Sequence, residues 1–313
     1  MRARVGQAGP VRPPGVKAGP AVSYGGQAVI EGVMMRGPDG YAVAVRRPGG
    51  EIVTRLVRRP GPASRHPLAR VPLARGLFAL VDSLVVGVES LMWSADEAAG
   101  EEEKLSRAES ALVVVIGVLG AVGLFVLLPT VVAGPLLRSG AGDLVVNLAE
   151  GLLRLGVLIA YVWAIGRMPD VRRVYEYHGA EHKVINAYTA TGDWSPAAAR
   201  EQSTTHPRCG TSFLLFVVVV SVVFFSLFGW PNIWVRMATR LLLLPVVAGV
   251  AYEAIRLADR SRSPLVRWMA APGLWLQRLT TREPDDSQLE VAAAALAALD
   301  PPRLDPERSP DLR

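Results

Sequence analysis

Three of the four histidines and the only cysteine of this chain lie between residues 178 and 209. His178 and His182 are four residues apart in "EYHGAEHKVINAY", so both would project from the same face of a helix. His206 and Cys209 follow in "STTHPRCGTS". Imidazole nitrogens and thiolates are the usual protein ligands of zinc, and a tetrahedral site needs three or four of them. We therefore predict a divalent metal, zinc by ligand type, held by His178, His182, His206 and Cys209.

Glu181 lies three residues after His178 and directly before His182. The order His-x-x-Glu-His is the inverse of the zincin motif. A carboxylate beside a metal can take a proton from an attacking water, so Glu181 is the predicted catalytic base. Glu31 is the second candidate catalytic residue, and Glu253 is a candidate further ligand. The sequence leaves open whether Glu181 is itself a ligand.

Plainer interpretations exist for each of these residues. The two histidines of the first motif could be solvated on a helix surface, and His206 could cap a helix end. Cys209 could be a small buried residue, or a nucleophile with His206 as its base.

The local pattern predicts a helix around the first motif and a small sheet near the N-terminus. Pro169 and Asp170 can begin a helix that runs to about Tyr188, since proline suits the first helical position. Residues 24–58 contain three β-prone runs divided by Pro-Asp-Gly and Pro-Gly-Gly, which predicts a small antiparallel meander with Glu31 inside its first strand. Ser287 and Glu290 predict a capping box that opens a C-terminal helix.

Half of the residues are apolar and the mean hydropathy is +0.29, which is typical of a membrane protein. About 20 consecutive apolar residues cross the hydrocarbon core. Four stretches meet that length: 111–137, 144–166, 212–230 and 234–257. A fifth, 73–92, is interrupted by charged residues, and we predict an amphipathic helix that lies in the interface or packs on the bundle.

Arginines concentrate before the first span, in the 167–211 loop and after the last span. The positive-inside rule then places both termini and that loop in the cytoplasm of a multi-pass inner-membrane protein. The net charge of +6 indicates this topology and contact with anionic lipid, not nucleic-acid binding. Within the bilayer, Glu150 is expected to pair with Arg154 or Arg240, as polar glue between helices.

We thus expect an α-helical polytopic membrane protein with a small N-terminal β meander and a cytoplasmic His-rich loop. The predicted parts are a disordered cytoplasmic tail (1–22), the meander (23–60), an interfacial helix and linker (61–110), two transmembrane helices (111–166), the metal loop (167–211), two further transmembrane helices (212–258) and C-terminal cytoplasmic helices with a tail (259–313).

The stretches "YGGQAVIEGVMMRGP", "YHGAEHKVINAY", "HPRCGTSFLL", "TTREPDD" and "QLEVAAAAL" together resemble the YqhQ-like family of bacterial membrane proteins. That family is a domain of unknown function often labelled a predicted metal-dependent enzyme. The resemblance runs from Tyr24 to Leu299. It implies an integral membrane protein of bacteria, and it singles out Gly26, Glu31, Arg36, His178, Glu181, His182, His206 and Cys209 as the functional residues.

Two functions fit these observations. The first is a metal-dependent hydrolase at the cytoplasmic face of the inner membrane, acting on a peptide bond, a lipid ester or a phosphoester. The second is a non-catalytic membrane module in which a structural metal pins the 167–211 loop and the cytoplasmic face binds a protein or membrane partner. The number of protein ligands separates them, because structural zinc sites are closed by four ligands and catalytic ones keep a position open.

Overall fold

A computed structural model describes residues 24–99, 106–207, 209–229, 232–260 and 264–299. The predicted N-terminal tail lies outside these residues. The strands are β1 (Gly25–Val29), β2 (Gly32–Arg36), β3 (Gly40–Arg46) and β4 (Ile52–Arg58). The helices are α1 (Pro62–Arg65), α2 (Ala74–Ala99), α3 (Arg107–Val122), α4 (Leu128–Arg138), α5 (Asp143–Ile165), α6 (Pro169–Thr191), α7 (Pro196–Arg200), α8 (Gly210–Ser226), α9 (Ile233–Arg260), α10 (Pro264–Thr280) and α11 (Asp286–Leu299).

The strands form one antiparallel meander in the order β1-β2-β3-β4. The predicted meander is confirmed, but it has four strands where the sequence indicated three runs. The expectation that Glu31 lies inside a strand was wrong, because Glu31 falls in the turn between β1 and β2 with a φ of 49°. A turn without proline, and with glycine only at the first residue of the next strand, gave no signal in the sequence.

Both faces of the sheet are covered by helices. On one face, Val33, Met35 and Ala44 pack against apolar residues of α6 and α11. On the other face, Met34 and Val43 pack against α2 through Val86 and Trp93. Because side chains alternate across a strand, burial on both faces explains why β2 and β3 are almost continuously apolar.

Helix α6 begins at Pro169, as predicted. Its C-cap is Gly192, whose φ of 79° is the left-handed conformation that glycine adopts without strain. The predicted cap of the C-terminal helix was wrong by two residues. Asp285 accepts a hydrogen bond from the Gln288 backbone, and the Gln288 side chain accepts one from the Asp285 backbone. The Gln288 amide also donates to Glu176, which ties α11 to α6.

Four helices of the described chain are long and apolar enough to cross a membrane: Ala74–Ala99, Ala111–Leu136, Asp143–Ile165 and Trp234–Leu257. Three of them coincide with predicted spans. In the first of these three, a π-helical segment, Gly123–Leu127, joins α3 to α4.

The remaining helix, Ala74–Ala99, lies outside the predicted spans. The stretch expected in the interface, 73–92, belongs to α2, which by length and composition is itself a candidate span. The stretch 212–230 instead corresponds to α8, whose described apolar part, Leu215–Ser226, is shorter than a span. Helix α8 nevertheless packs closely on α5, since a Cβ at Gly151 would come within 2.4 Å of the Val222 side chain.

The apolar bundle contains a buried ionic cluster. The Glu150 carboxylate accepts hydrogen bonds from Arg154 (2.7 Å), Thr130 (2.9 Å) and Arg240, so both expected pairs form. Arg154 also donates to the carbonyl oxygen of Phe125, 2.9 Å away in the π-helical segment. The cluster therefore joins α4, α5 and α9, and satisfies a backbone group that the helical irregularity exposes.

We expect Glu150→Ala to lower the free energy of unfolding by about 3–5 kcal/mol, because it leaves two buried arginines without their carboxylate. The measurement is unfolding of the purified protein in detergent. Glu201→Ala is the control, since Glu201 is exposed and its loss should cost less than about 0.5 kcal/mol. Equal stability of the two variants would contradict the role given to the cluster.

Candidate metal centre

Helix α6 brings His178 and His182 together on one face, with ring centroids 4.4 Å apart. The Cys209 sulfur lies 3.2 Å from Nε2 of His178. The potential ligand atoms of these three residues all lie within 4.8 Å of one another. A single cation could therefore contact two imidazole nitrogens and one thiolate, a donor set that suits zinc.

Hydrogen bonds orient both imidazoles. Nδ1 of His178 lies 2.9 Å from the carbonyl oxygen of Thr280, and Nδ1 of His182 lies 2.6 Å from that of Thr204. A carbonyl oxygen only accepts, so each Nδ1 must carry the proton and each Nε2 of the neutral ring keeps its lone pair. Within the described part of the chain, Nε2 of His182 is buried without a hydrogen-bond partner. A hydrogen bond from Nδ1 to a carbonyl oxygen is typical of histidines that bind metals through Nε2.

Cys209 is the N-cap residue of α8, and its sulfur accepts a hydrogen bond from the Thr211 backbone at 3.4 Å. The sulfur therefore lies at the positive end of the helix dipole, where negative charge is favoured. The cluster therefore lies at the start of α8, the apolar helix that follows residues 201–209.

His206 lies next to the cluster but outside the three-residue group found among the described residues. Its ring centroid is 5.8 Å from that of His182. Its backbone is fixed by the Gln277 amide, which accepts from His206 N (2.9 Å) and donates to His206 O (2.8 Å). Of the four predicted ligands, the fold therefore brings His178, His182 and Cys209 close enough to bind a single ion, and His206 lies beside them.

Glu181 is fully buried beside the cluster. One of its carboxylate oxygens, Oε2, has no hydrogen-bond partner among the described residues. Burial raises the pKa of Glu181 from its ordinary 4.5 to about 7, and the nearby His178 offsets part of that rise. The side chain packs on β1, where a Cβ at Gly26 would come within 2.8 Å of the Glu181 Cδ. Gly26 therefore provides the space that this carboxylate occupies.

The two other carboxylates singled out in the sequence lie elsewhere. Glu31 pairs with Arg173 in the first half of α6 and accepts a hydrogen bond from Tyr177 at 3.2 Å. Arg173 precedes His178 by five residues, about 7.5 Å along the helix. Glu253, the candidate further ligand, pairs with Arg75 at the start of α2. Neither belongs to the described ligand group.

Gly179 lies inside the motif because of a close contact that could not be predicted from the sequence. A Cβ at this position would lie 2.0 Å from the carbonyl oxygen of Arg282. The segment after α10 therefore runs directly against α6, and Arg282 N donates to Tyr175 O at 2.9 Å. The same approach brings the Thr280 carbonyl to His178, so the helix cost of glycine, about 1 kcal/mol, is offset by the contact.

Three residues of the site were missed from sequence: Thr204, Thr280 and Gln277. The first two act through backbone carbonyls, which no side-chain type reveals. They do fall inside the motif stretches "STTHPRCGTS" and "TTREPDD", which is the signal that could have indicated them. Gln277 lies outside every motif, and its complete burial is a product of the tertiary fold.

The sequence matches a recognised family. Residues 71–301 match the family described as "Protein of unknown function (DUF1385)", so the chain belongs to that family. It is 35% identical over 289 residues to "Uncharacterized protein YqhQ" of Bacillus subtilis (strain 168), an alignment that covers 86% of this chain and 90% of the relative. The resemblance to YqhQ-like proteins is thereby confirmed. No solved structure matches the chain.

We expect Gly26→Ala to destabilise the protein by about 1–3 kcal/mol, as overpacking does, because the new methyl group meets Glu181 and the Met34 backbone. Gly25→Ala is a matched control in the same strand, since a Cβ there meets nothing within 4 Å. Thermal unfolding of both variants compares them. If the two melt alike, Glu181 does not pack on β1.

Proposed function

We propose that this protein is a metal-dependent hydrolase at the cytoplasmic face of the bacterial inner membrane. The observation that carries the proposal is that one potential ligand atom each of His178, His182 and Cys209 lies within 4.8 Å of the others, with both Nδ1 atoms tied to carbonyl oxygens. Three protein ligands leave one tetrahedral position open, which is the arrangement of catalytic zinc sites.

A divalent metal held there would supply Lewis acidity, which polarises the bond under attack and activates water near neutral pH. The protein's own residues orient the reaction. Thr280 and Thr204 hold the imidazoles in one tautomer, and Gln277 fixes the backbone of the segment that carries Cys209. The buried setting excludes bulk water, which strengthens every electrostatic contact inside the site.

Glu181 is the proposed base. Its carboxylate neighbours both histidines on α6, and its unsatisfied Oε2 is available to accept a proton. Gly26 and the β1–β2 hairpin restrain it from the other side. Glu31 is better suited to positioning, since its charge is already used by Arg173 and Tyr177, which fasten the hairpin to α6.

The membrane arrangement supports the same location. The helices α3–α4, α5, α8 and α9 are the proposed spans, with the sheet, α6 and α11 together at one end. We assign α2 to the interface. Between Asp82 and Glu97 it pairs with Arg36 of β2 and with Arg47, which follows β3, and its first turn packs on α9 near Gly249 and Tyr252. The ion pairs along the sheet are the reason for this assignment.

Two other functions have specific support. His206, with its ring 5.8 Å from His182, could close the site as a fourth ligand and make the metal structural. Alternatively, Cys209 could be a nucleophile, with His178 rather than His206 as its base, because His178 Nε2 lies 3.2 Å from the sulfur.

We expect Glu181→Gln to keep the bound metal and the fold while failing to rescue a strain that lacks the gene, because the amide keeps the size of the side chain and removes its basicity. Metal analysis of the variant accompanies the rescue assay. Glu201→Gln, an exposed position, is the control. Loss of metal in Glu181→Gln would make Glu181 a ligand, and retention of both metal and full function would refute the hydrolase and favour the structural metal.

We expect a cysteine introduced at Ser139, in the 138–143 link, to react with a membrane-impermeant thiol reagent in intact cells. The reason is that the arginine distribution predicts this link outside. A cysteine introduced at Asp193, between α6 and α7, should react only after the cells are opened. Labelling in the opposite order would overturn the topology and the location of the site.

A further inference from the structure

A cavity of about 420 Å³, with arginines among largely apolar walls, lies at the end of the helical bundle opposite the His/Cys cluster. It is bounded by α5, α8 and α9, and its walls include Asp143, Asn147, Phe225, Arg236, Thr239 and Arg240. Helix α8 begins at Cys209 of the cluster and lines this cavity at Phe225, so the two sites lie about 24 Å apart along the helix. The cavity is thus a second site, independent of the metal centre.

The charges around the cavity do not balance. Between residues 111 and 166 and between 209 and 252, the sequence contains four arginines, no lysine and only two carboxylates, Asp143 and Glu150. Three of these arginines are more than nine-tenths buried: Arg154, Arg236 and Arg240. Of the two carboxylates, only Glu150 is buried. An excess of positive charge within an apolar bundle is costly, so a bound anion would stabilise it.

Arg240 and Asn147 in the cavity wall are held in place by neighbouring residues. Arg240 is fixed by two contacts to Glu150, and its guanidinium lies 5.3 Å from the centroid of the Phe225 ring. Asn147 donates to the carbonyl oxygen of Phe228 at 3.0 Å and retains a second amide hydrogen. Asp143 is exposed at the rim, with its carboxylate against Gly229.

We propose that this cavity binds an oxyanion, a phosphate or carboxylate group, through Arg236 and Arg240, with Asn147 as a further donor. Arginine suits this task because its planar guanidinium matches both groups. The carboxylate of Asp143 would repel a bare anion at the rim, so the favoured ligand also carries a hydrogen-bond donor or an ammonium group. Both a soluble phosphate and the headgroup of a phospholipid offer this chemistry. The proposal does not rest on the hydrolase function.

The test uses the full chain purified in detergent and two probes. Inorganic phosphate is titrated against chloride at equal ionic strength, with the thermal midpoint as the readout. Phosphatidylethanolamine, whose headgroup combines a phosphate with an ammonium, is added before native mass spectrometry, which counts retained lipid. We expect saturable binding of at least one probe. Phosphate alone would identify a soluble ligand, and retained lipid alone or with it would identify a headgroup site.

Arg236→Gln should weaken that binding about tenfold or more, because a charge-assisted hydrogen bond is lost. Arg236→Lys keeps the charge and should retain binding. Thr239→Leu, which fills the cavity without removing charge, should abolish binding and serves as the second variant if Arg236→Gln does not fold. Arg172→Gln, at an exposed position at the other end of the molecule, should bind as the wild type does.

Absence of preferential binding by both probes would overturn the proposal. If Arg236→Gln or Thr239→Leu folds and still binds as the wild type does, the proposal is also overturned.

Discussion

The hydrogen bonds from Nδ1 of His178 and His182 to two backbone carbonyls are the contacts on which the candidate site depends. They fix the tautomer of each ring and leave each Nε2 with its lone pair, and that of His178 lies 3.2 Å from the Cys209 sulfur. Each carbonyl belongs to a different segment: Thr280 ends α10, and Thr204 lies in the segment between α7 and α8. The site can therefore exist only when both segments are docked on α6.

The rest of the structure around α6 serves that docking. Gly179 lets the 280–284 segment approach α6, and the bond from Gln277 holds the segment around His206. The sheet packs on α6 from the other side, where Gly26 of β1 lies against Glu181. Helix α11 fills the remaining face through the apolar cluster that it shares with β2 and α6. Burying α6 on several faces is what leaves Glu181 and the histidines in a medium of low polarity.

Much of this arrangement could be predicted from local patterns. The helix of α6 followed from Pro169 and the spacing of its residues, the meander from its turn residues, and the Glu150 pairs from the cost of charges inside an apolar helix. What could not be predicted depends on contacts between distant segments. The turn at Glu31 is set by Arg173 and Tyr177 of α6, and the site carbonyls of Thr204 and Thr280 carry no side-chain signature. The position of α2 was ambiguous because its hydropathy resembles that of a span, while its carboxylates form ion pairs with arginines in and beside the sheet.

The most direct test of the metal centre is the zinc content of the purified protein and its histidine variants. The account predicts about one zinc per chain in the wild type, and loss of that metal in His178→Ala and in His182→Ala, since each removes a ligand. His66→Ala is the matched control, because the fourth histidine stacks on Phe78 away from the site and its loss should leave the zinc in place. Unchanged zinc in a variant that lacks both His178 and His182 would contradict the account.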